Sequence, residues 1–337
     1  MLRHFGAGRN RGIRVAEYSN HLSLTYMLLN IDPPIVNASG ILSFLDIFQL
    51  LDRKGATIGG YVTKSISPSE RLGNENPVVV ECGAMDYPTL NSLALPSQAP
   101  EEWLEELKQT HLKQSKLIVS VNGVSPDGVS RIVQMVEPHA DGFELNMSCP
   151  NLVPGEESVM AIVGRHPEAA ARVVRSARKA TGKPVIAKLS PDTRYVEIGR
   201  ACLEAGADYL GCGNTLPGMS INIHSRTPML AGGFGGVSGP ALKPVNLKMV
   251  YDLYAELSCP IVAYGGIMTW EDAVEYLLAG ARILGLGTFF AHRRTLDIVR
   301  DTAALWKGIQ DYLNGEPLES VVGAAHLKPS TAVTRSH

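Results

Sequence analysis

Eight short apolar runs, each followed by a stretch whose apolar residues recur at helical spacing, alternate along the 337-residue chain, and this rhythm restricts the fold more than any other feature. The strand-like runs cover residues 35–38, 60–64, 117–121, 142–146, 185–189, 209–213, 261–264 and 283–286. The helical patterns cover 42–53, 100–111, 125–137, 167–180, 195–205, 242–257, 271–279 and 295–314. Positions such as Leu247, Val250, Tyr254 and Leu257 give one of them the face of a crossover packed on a single side. Eight strand-then-helix units in a chain of this length predict an α/β fold, a closed (β/α)8 TIM barrel, in preference to an open sheet. One barrel domain is expected over residues 21–315, preceded by a disordered N-terminal extension at 1–20 and followed by a C-terminal tail at 316–337.

Three connections are far longer than usual: 65–99 after the second strand, 149–166 after the fourth and 214–241 after the sixth. All three leave the carboxyl ends of strands. In such barrels that rim holds the active site, so a lid and a substrate pocket are expected there.

Charge and composition remove several classes of partner. Thirty-one Lys and Arg against 33 Asp and Glu give a formal net charge of −2, which provides no global positive field for nucleic acid or an anionic membrane. No run approaches the roughly 18 apolar residues of a membrane span, so a soluble protein is expected. The opening stretch carries Arg3, Arg9, Arg11 and Arg14 with one acid, Glu17, but no apolar segment of a secretory signal, and it is short and poor in Ser for a transit peptide. Five cysteines, Cys82, Cys149, Cys202, Cys212 and Cys259, form no C-x-x-C pair, which points to a reducing, cytoplasmic setting with no disulfide framework, zinc site or cluster. There is no G-x-G-x-x-G after a strand, no P-loop and no H-E-x-x-H, so neither a Rossmann site, a phosphate loop of that type nor a metal is indicated.

Reactive side chains instead gather at strand ends. Lys64 ends the second run, Asn122 follows the third, Asn146 and Cys149 follow the fourth, Lys188 lies near the end of the fifth, and Asn214 follows the sixth. Gly265-Gly266 and Gly287-Thr288 close the seventh and eighth, where backbone N–H groups of such barrels commonly meet a phosphate. Lys64 and Lys188 are each the single charge of an apolar strand, and a buried ammonium implies a negatively charged ligand. Asn91, Asn146, Asn151 and Asn214 offer donors and acceptors suited to the amide edges of a planar cyclic imide. Cys149 sits in a polar turn near two lysine-bearing strand ends, surroundings that lower a thiol pKa and make a thiolate available as a base. Cys202, Cys212 and Cys259 read as core.

The turn Asn146-Met147-Ser148-Cys149-Pro150-Asn151 resembles the N-x-S-C-P-N motif of class 1 dihydroorotate dehydrogenases. From about His21 to Leu313, Asn37-Ala38-Ser39-Gly40, Thr63-Lys64-Ser65, Lys188-Leu189-Ser190-Pro191, Asn214-Thr215, the stretch 235–244 and Gly265-Gly266-Ile267 look like further family motifs in family order. The resemblance implies a flavin mononucleotide (FMN) barrel that oxidises dihydroorotate to orotate in pyrimidine biosynthesis. Cys149, with Lys64 beside it, would take the C5 proton while a hydride leaves C6 for the flavin. By the same resemblance Lys64, Asn91, Asn146, Asn151, Asn214 and Thr215 would hold the substrate. FMN would be held by Ser39, Lys64, Ser65, Asn122, Asn146, Lys188, Gly213, Gly239, Gly265, Gly266, Gly287 and Thr288, with Lys188 stabilising the anionic reduced ring.

The sequence departs from the family in two rim loops. Glu70 to Val78 keeps one arginine, Arg71, and ends in Val78; Asn91 to Ser97 has Ala94 and Ser97 where the family usually has Gly and Asn. These changes leave room for a neutral dihydropyrimidine such as dihydrouracil as an alternative substrate. A flavin-free lyase or isomerase acting on a phosphorylated metabolite is the alternative from another class. Residues 214–219 and 235–244 resemble the NAD-linked branch, which works with a separate FAD and iron–sulfur subunit, whereas 152–155 looks more like the fumarate-using branch. A homodimer is expected, with no nucleic acid and no membrane as partner.

Overall fold

The computed structural model describes residues 26–42, 44–81, 89–122, 125–147, 163–291 and 293–326. Eight parallel strands form a closed barrel: β1 (Ile35–Asn37), β2 (Gly60–Val62), β3 (Lys116–Asn122), β4 (Gly142–Asn146), β5 (Val185–Leu189), β6 (Tyr209–Cys212), β7 (Ile261–Tyr264) and β8 (Ile283–Leu286). Each pairs with its neighbours in chain order, and β1 pairs with β8 to close the ring. A helix follows each strand: α1 (Leu45–Arg53), α2 (Pro100–Lys108), α3 (Pro126–Val136), α4 (Pro167–Ala180), α5 (Tyr195–Glu204), α6 (Lys243–Leu257), α7 (Trp270–Ala279) and α8 (Thr295–Leu313). The TIM barrel expected from the alternation is therefore the fold, with boundaries close to those expected.

Local signals explain where the helices begin. Pro100, Pro126 and Pro167 occupy first-turn positions, where the missing N–H is no loss. Ser125 accepts from Gly128 N, and Thr269 with Asp272 forms a capping box at the start of α7.

The two-residue pleat sorts each strand into two faces. Val36, Val62, Ile118, Ile186, Tyr209, Val262, Tyr264 and Ile283 fill the barrel interior. Ile35, Tyr61, Val119, Phe143, Leu145, Val185, Leu210, Ile261 and Leu284 pack outward into the larger core under the helices. Cys202, Cys212 and Cys259 are buried free thiols, as expected for core cysteines; burial pushes Cys202 and Cys259 up to about 12.

Two of the long rim connections do not remain loops. Val79–Glu81 and Thr89–Asn91 from the first join Leu216–Gly218 and Gly235–Ser238 from the third in a four-stranded antiparallel sheet. Ile221–Asn222 and Thr227–Pro228 form a separate hairpin. Residues 1–20 lie outside the described part. Of the expected tail, the stretch up to His326 packs back on the barrel: Gly323 N donates to Leu277 O, and the His326 ring stacks on Tyr251 at 3.9 Å.

The amino ends of the strands are tied by buried carboxylates. Asp52, at the end of α1, accepts from the backbone N–H groups of Lys113, Gln114 and Ser115 and from the Ser115 hydroxyl. Asp208 accepts from Met27 N and Val185 N and pairs with Arg178 at 2.8 Å. Burial alone pushes the Asp52 carboxyl up, but the hydrogen bonds from Lys113 and its neighbours outweigh it and hold the group below the ordinary carboxylate value. Asp52→Ala should therefore cost on the order of 2–4 kcal/mol, read as a fall in Tm by calorimetry. The folded carboxyl binds its proton less tightly than the unfolded one. The Asp52 contribution is thus complete above the ordinary carboxylate range and lost as pH falls through the lower folded value.

Candidate active site at the carboxyl rim

Strand register brings the polar residues of three different strands to one level. Asn122 of β3 lies opposite Asn146 of β4, and Asn146 lies opposite Lys188 of β5. All three are buried. Ser65 stands among them: Asn146 Nδ2 donates to its Oγ at 3.1 Å, and its hydroxyl meets Ser120 Oγ at 2.9 Å and Ser39 Oγ at 3.3 Å. Ser39 in turn donates to Thr63 O. Asn122 Nδ2 donates to Ser67 Oγ at 3.2 Å.

Each of the two amides spends its donor on the protein and leaves its acceptor over. Asn122 Oδ1 and Asn146 Oδ1 are buried without a hydrogen-bond partner among the described residues. A buried polar atom left so costs about 1–3 kcal/mol, which a ligand donor would recover.

The two lysines differ. Lys64, in the turn after β2, has its ammonium pKa lowered by burial, and no described residue accepts from that ammonium. The sequence reading expects an anionic ligand for each lysine. Lys188 corrects that expectation, because its counter-charge is internal: Glu144 Oε1 lies 3.5 Å from Lys188 Nζ, and the ammonium sits 4.2 Å from the Tyr264 ring centroid. Lys188 is the single charge along β5, whereas its partner stands on β4.

Glycine follows β6, β7 and β8 and also the rim strand Gly235–Ser238. Gly213, Gly239, Gly265 and Gly266 have φ of +122°, +112°, +108° and +71°. A Cβ on Gly265 would lie 2.0 Å from Asn246 Nδ2, and one on Gly266 would lie 2.8 Å from Lys243 N. Close packing of α6 therefore demands glycine at both places, in addition to any anion the N–H groups would meet. Asn246 is itself buried, with both amide atoms unpartnered among the described residues. Gly287 follows β8 and Thr288 opens a 3-10 turn; the nearest neighbour to a Gly287 Cβ would be Ala38 at 3.6 Å.

The rim sheet carries the remaining expected residues. Asn91 lies opposite Gly236 and donates to its carbonyl at 3.2 Å. Thr215 N donates to Asn214 Oδ1 at 2.8 Å in the turn between β6 and Leu216–Gly218. Ala94 occupies a left-handed backbone conformation, φ +56°, a region that favours glycine. Ser97 is committed to structure: it accepts from Trp103 Nε1 and Ser67 N and donates to Gln98 O. Cys149 and Asn151 lie outside the described residues, so their places in the site are not described. Among the described residues, no group of three or more His, Cys, Asp or Glu could hold a metal ion.

A family model described as dihydroorotate dehydrogenase matches residues 21–301. The chain belongs to the dihydroorotate dehydrogenase family. The catalytic subunit of dihydroorotate dehydrogenase B (NAD(+)) from Pyrococcus abyssi is 39% identical over 290 residues, covering 86% of this chain and 92% of the relative. The subunit of the same name from Thermococcus kodakarensis is 38% identical over 309 residues, 90% of this chain and 98% of the relative, and that from Geotalea daltonii is 36% identical over 315 residues, 91% and 98%. The crystal structure of the Eimeria tenella DHODH in complex with ferulenol superposes with a TM-score of 0.70 at 21% identity, covering 90% of this chain and 91% of that one, a likeness of fold.

Within this dihydroorotate dehydrogenase fold, sequence reasoning missed Glu144, Tyr264 and Ser120. The signal was present: Glu144 and Asn146 are two residues apart in an apolar strand and so must share a face.

Lys64 gives a test of the site without any substrate. Lys64→Met should raise the stability of the ligand-free protein by less than about 1 kcal/mol, since the half-buried ammonium is partly solvated. A folded ammonium that releases its proton more easily than the unfolded one makes wild-type stability rise with pH through its lowered pKa toward the ordinary lysine value. The gap between wild type and variant should therefore close at alkaline pH in thermal melts.

Proposed function

We propose that the chain is an FMN-dependent dihydroorotate dehydrogenase, the catalytic subunit of an NAD-linked enzyme, oxidising dihydroorotate to orotate in pyrimidine biosynthesis. The observation that carries the cofactor reading is the buried row Asn122, Asn146 and Lys188 at the carboxyl ends of β3, β4 and β5, with two acceptors left without a partner among the described residues. Those acceptors suit the N–H and hydroxyl donors of a flavin and its ribityl chain, and the glycines at the ends of β6, β7 and β8 suit its phosphate. Ser39, Lys64, Ser65, Asn122, Asn146, Lys188, Gly213, Gly239, Gly265, Gly266, Gly287 and Thr288 would hold FMN. When bound, FMN supplies an acceptor for the hydride leaving C6 of the substrate.

The protein's part is proton removal and orientation. Cys149 lies three residues beyond Asn146, within about 11 Å of chain, and as a thiolate takes the C5 proton. The Lys64 ammonium, with no acceptor among the described residues, pairs with the substrate carboxylate. Asn91, Asn146, Asn151, Asn214 and Thr215 meet the ring amides, and the rim sheet that joins Asn91 to the stretch after Asn214 holds two of them on one support.

An electron-transfer subunit bearing FAD and an iron–sulfur cluster is the proposed partner, supported by the names of the relatives. A second copy of the chain is proposed as well: Met219, Ile221, Ile223 and Phe234 are exposed apolar side chains on the rim sheet and its hairpin. Residues 21–315 are proposed as one domain, with 1–20 and 316–337 as extensions. No helix among the described residues is long and apolar enough to cross a membrane, and a cytoplasmic setting is proposed on the buried free thiols.

Cys149→Ala should keep the yellow flavin spectrum and slow flavin bleaching by dihydroorotate roughly 10²–10⁴-fold in anaerobic stopped-flow. Undiminished bleaching overturns Cys149 as the base. In wild type, dihydroorotate should bleach faster than dihydrouracil; the reverse order would favour the neutral substrate, and a colourless protein the flavin-free lyase.

A further inference from the structure

Glu144 is a fully buried carboxylate in the middle of β4, and the mechanism above gives it no work. A buried charge survives only if it is paired and hydrogen-bonded. Both Glu144 oxygens are used. Oε2 accepts from the Tyr264 hydroxyl at 2.6 Å; Oε1 accepts from Ser120 Oγ at 3.3 Å and faces Lys188 Nζ at 3.5 Å. Lys188 is thus clamped between a carboxylate and the face of an aromatic ring 4.2 Å away.

Two strand-interior glycines clear the space. Gly285 lies opposite Tyr264, where a Cβ would fall 2.1 Å from the ring, and Gly211 lies opposite Lys188, where a Cβ would fall 3.1 Å from its Cα. Glycine weakens a strand interior, so its use on β6 and β8 marks a close approach that the fold accommodates. Glu144 lies one pleat below Asn146, whereas Lys188 stands level with it, and the cluster joins the rim through the Ser120 and Ser65 hydroxyls. Lysine on a flexible four-carbon stem is a poorly located charge; this one is fixed from three neighbouring elements.

We propose that Glu144 is a positioning residue that, with Tyr264, holds the Lys188 ammonium as one half of a fixed ion pair and so lowers the reduction potential of the bound flavin. The inference rests on the flavin reading above. An unpaired ammonium beside the ring would favour the reduced, anionic form strongly; a carboxylate 3.5 Å behind it offsets part of that field and leaves electrons free to pass to an acceptor.

The test is the flavin midpoint potential of the full-length, FMN-loaded protein in four forms: wild type, Glu144→Gln, Lys188→Met and the double variant. E144Q should favour the reduced flavin tenfold or more, a rise of about 30 mV for a two-electron couple, while K188M should lower the potential. In the K188M background E144Q should add little, because the carboxylate then has no ammonium to hold in place or to offset. An unchanged or lowered potential in E144Q, or an equal rise in both backgrounds, overturns the inference. A purely structural Glu144 would weaken FMN binding without moving the potential, which also overturns it. If E144Q does not retain flavin, Tyr264→Phe decides: it removes the hydroxyl that shares the carboxylate charge, so the potential must fall, and an unmoved potential refutes the role. A wild-type protein that takes up no FMN overturns the flavin reading and this inference together, whereas a loaded E144Q with wild-type potential overturns the inference alone.

Discussion

The register of β3, β4 and β5 is the constraint on which the rest depends. Because side chains alternate with a period of two, a slip of one residue in β4 would turn Glu144 and Asn146 outward under the helices and bring Phe143 and Leu145 into the barrel. That slip would bury a carboxylate and an amide in an apolar layer and lose the pairing with Lys188. The outward set of Phe143, Leu145, Val185 and Ala187, all fully buried under the helices, enforces the register from the other side. Apolar packing outside the barrel therefore fixes polar placement inside it.

The two ends of the barrel divide the energetics. At the amino ends, Asp52 and Asp208 have their acceptors saturated by backbone N–H groups, by Ser115 and by Arg178. At the carboxyl rim, Asn122 and Asn146 keep acceptors without donors, and Lys64 keeps an ammonium without an acceptor among the described residues. Polar groups left unsatisfied are costly in a folded chain, and their concentration at one end is the expected mark of a ligand site. A cleft of about 590 Å³ opens at the opposite end, lined by Pro34, Tyr209, Arg282 and Trp306 among others.

Much of this was legible in the sequence, for physical reasons that differ by residue. The eight barrel strands could be read because parallel strands covered on both sides are continuously apolar and short. Lys64 stands out as a lone charge in such a run, and its half-buried ammonium meets no acceptor among the described residues. Lys188 stood out for the same reason but carries a partner, since a cross-strand neighbour is set by register and not by spacing along one strand. The rim sheet was illegible because its strands are three or four residues long and pair across insertions about 145 residues apart, as Asn91 does with Gly236. Gly265 and Gly266 were read for the anion their N–H groups would approach, and sequence alone gave no hint that Asn246 and Lys243 also require the absent Cβ.

The rim sheet also bears on how the two departures from the family pattern are absorbed. Ala94 holds a left-handed conformation that costs a residue with a Cβ about 1 kcal/mol, yet it is buried, and its carbonyl accepts from Arg71 Nη2 at 3.3 Å. Arg71 is the arginine retained in the preceding loop, and its backbone pairs with Ser97 in both directions. Ser97, where the family usually has an amide, is turned to Trp103 at the base of α2. The two unusual residues are therefore parts of one local structure: the retained arginine braces the strained turn, and the serine anchors that turn to a helix. A change at either position acts on the loop as a unit, so these departures from the family pattern reset the loop and do not work through one isolated side chain.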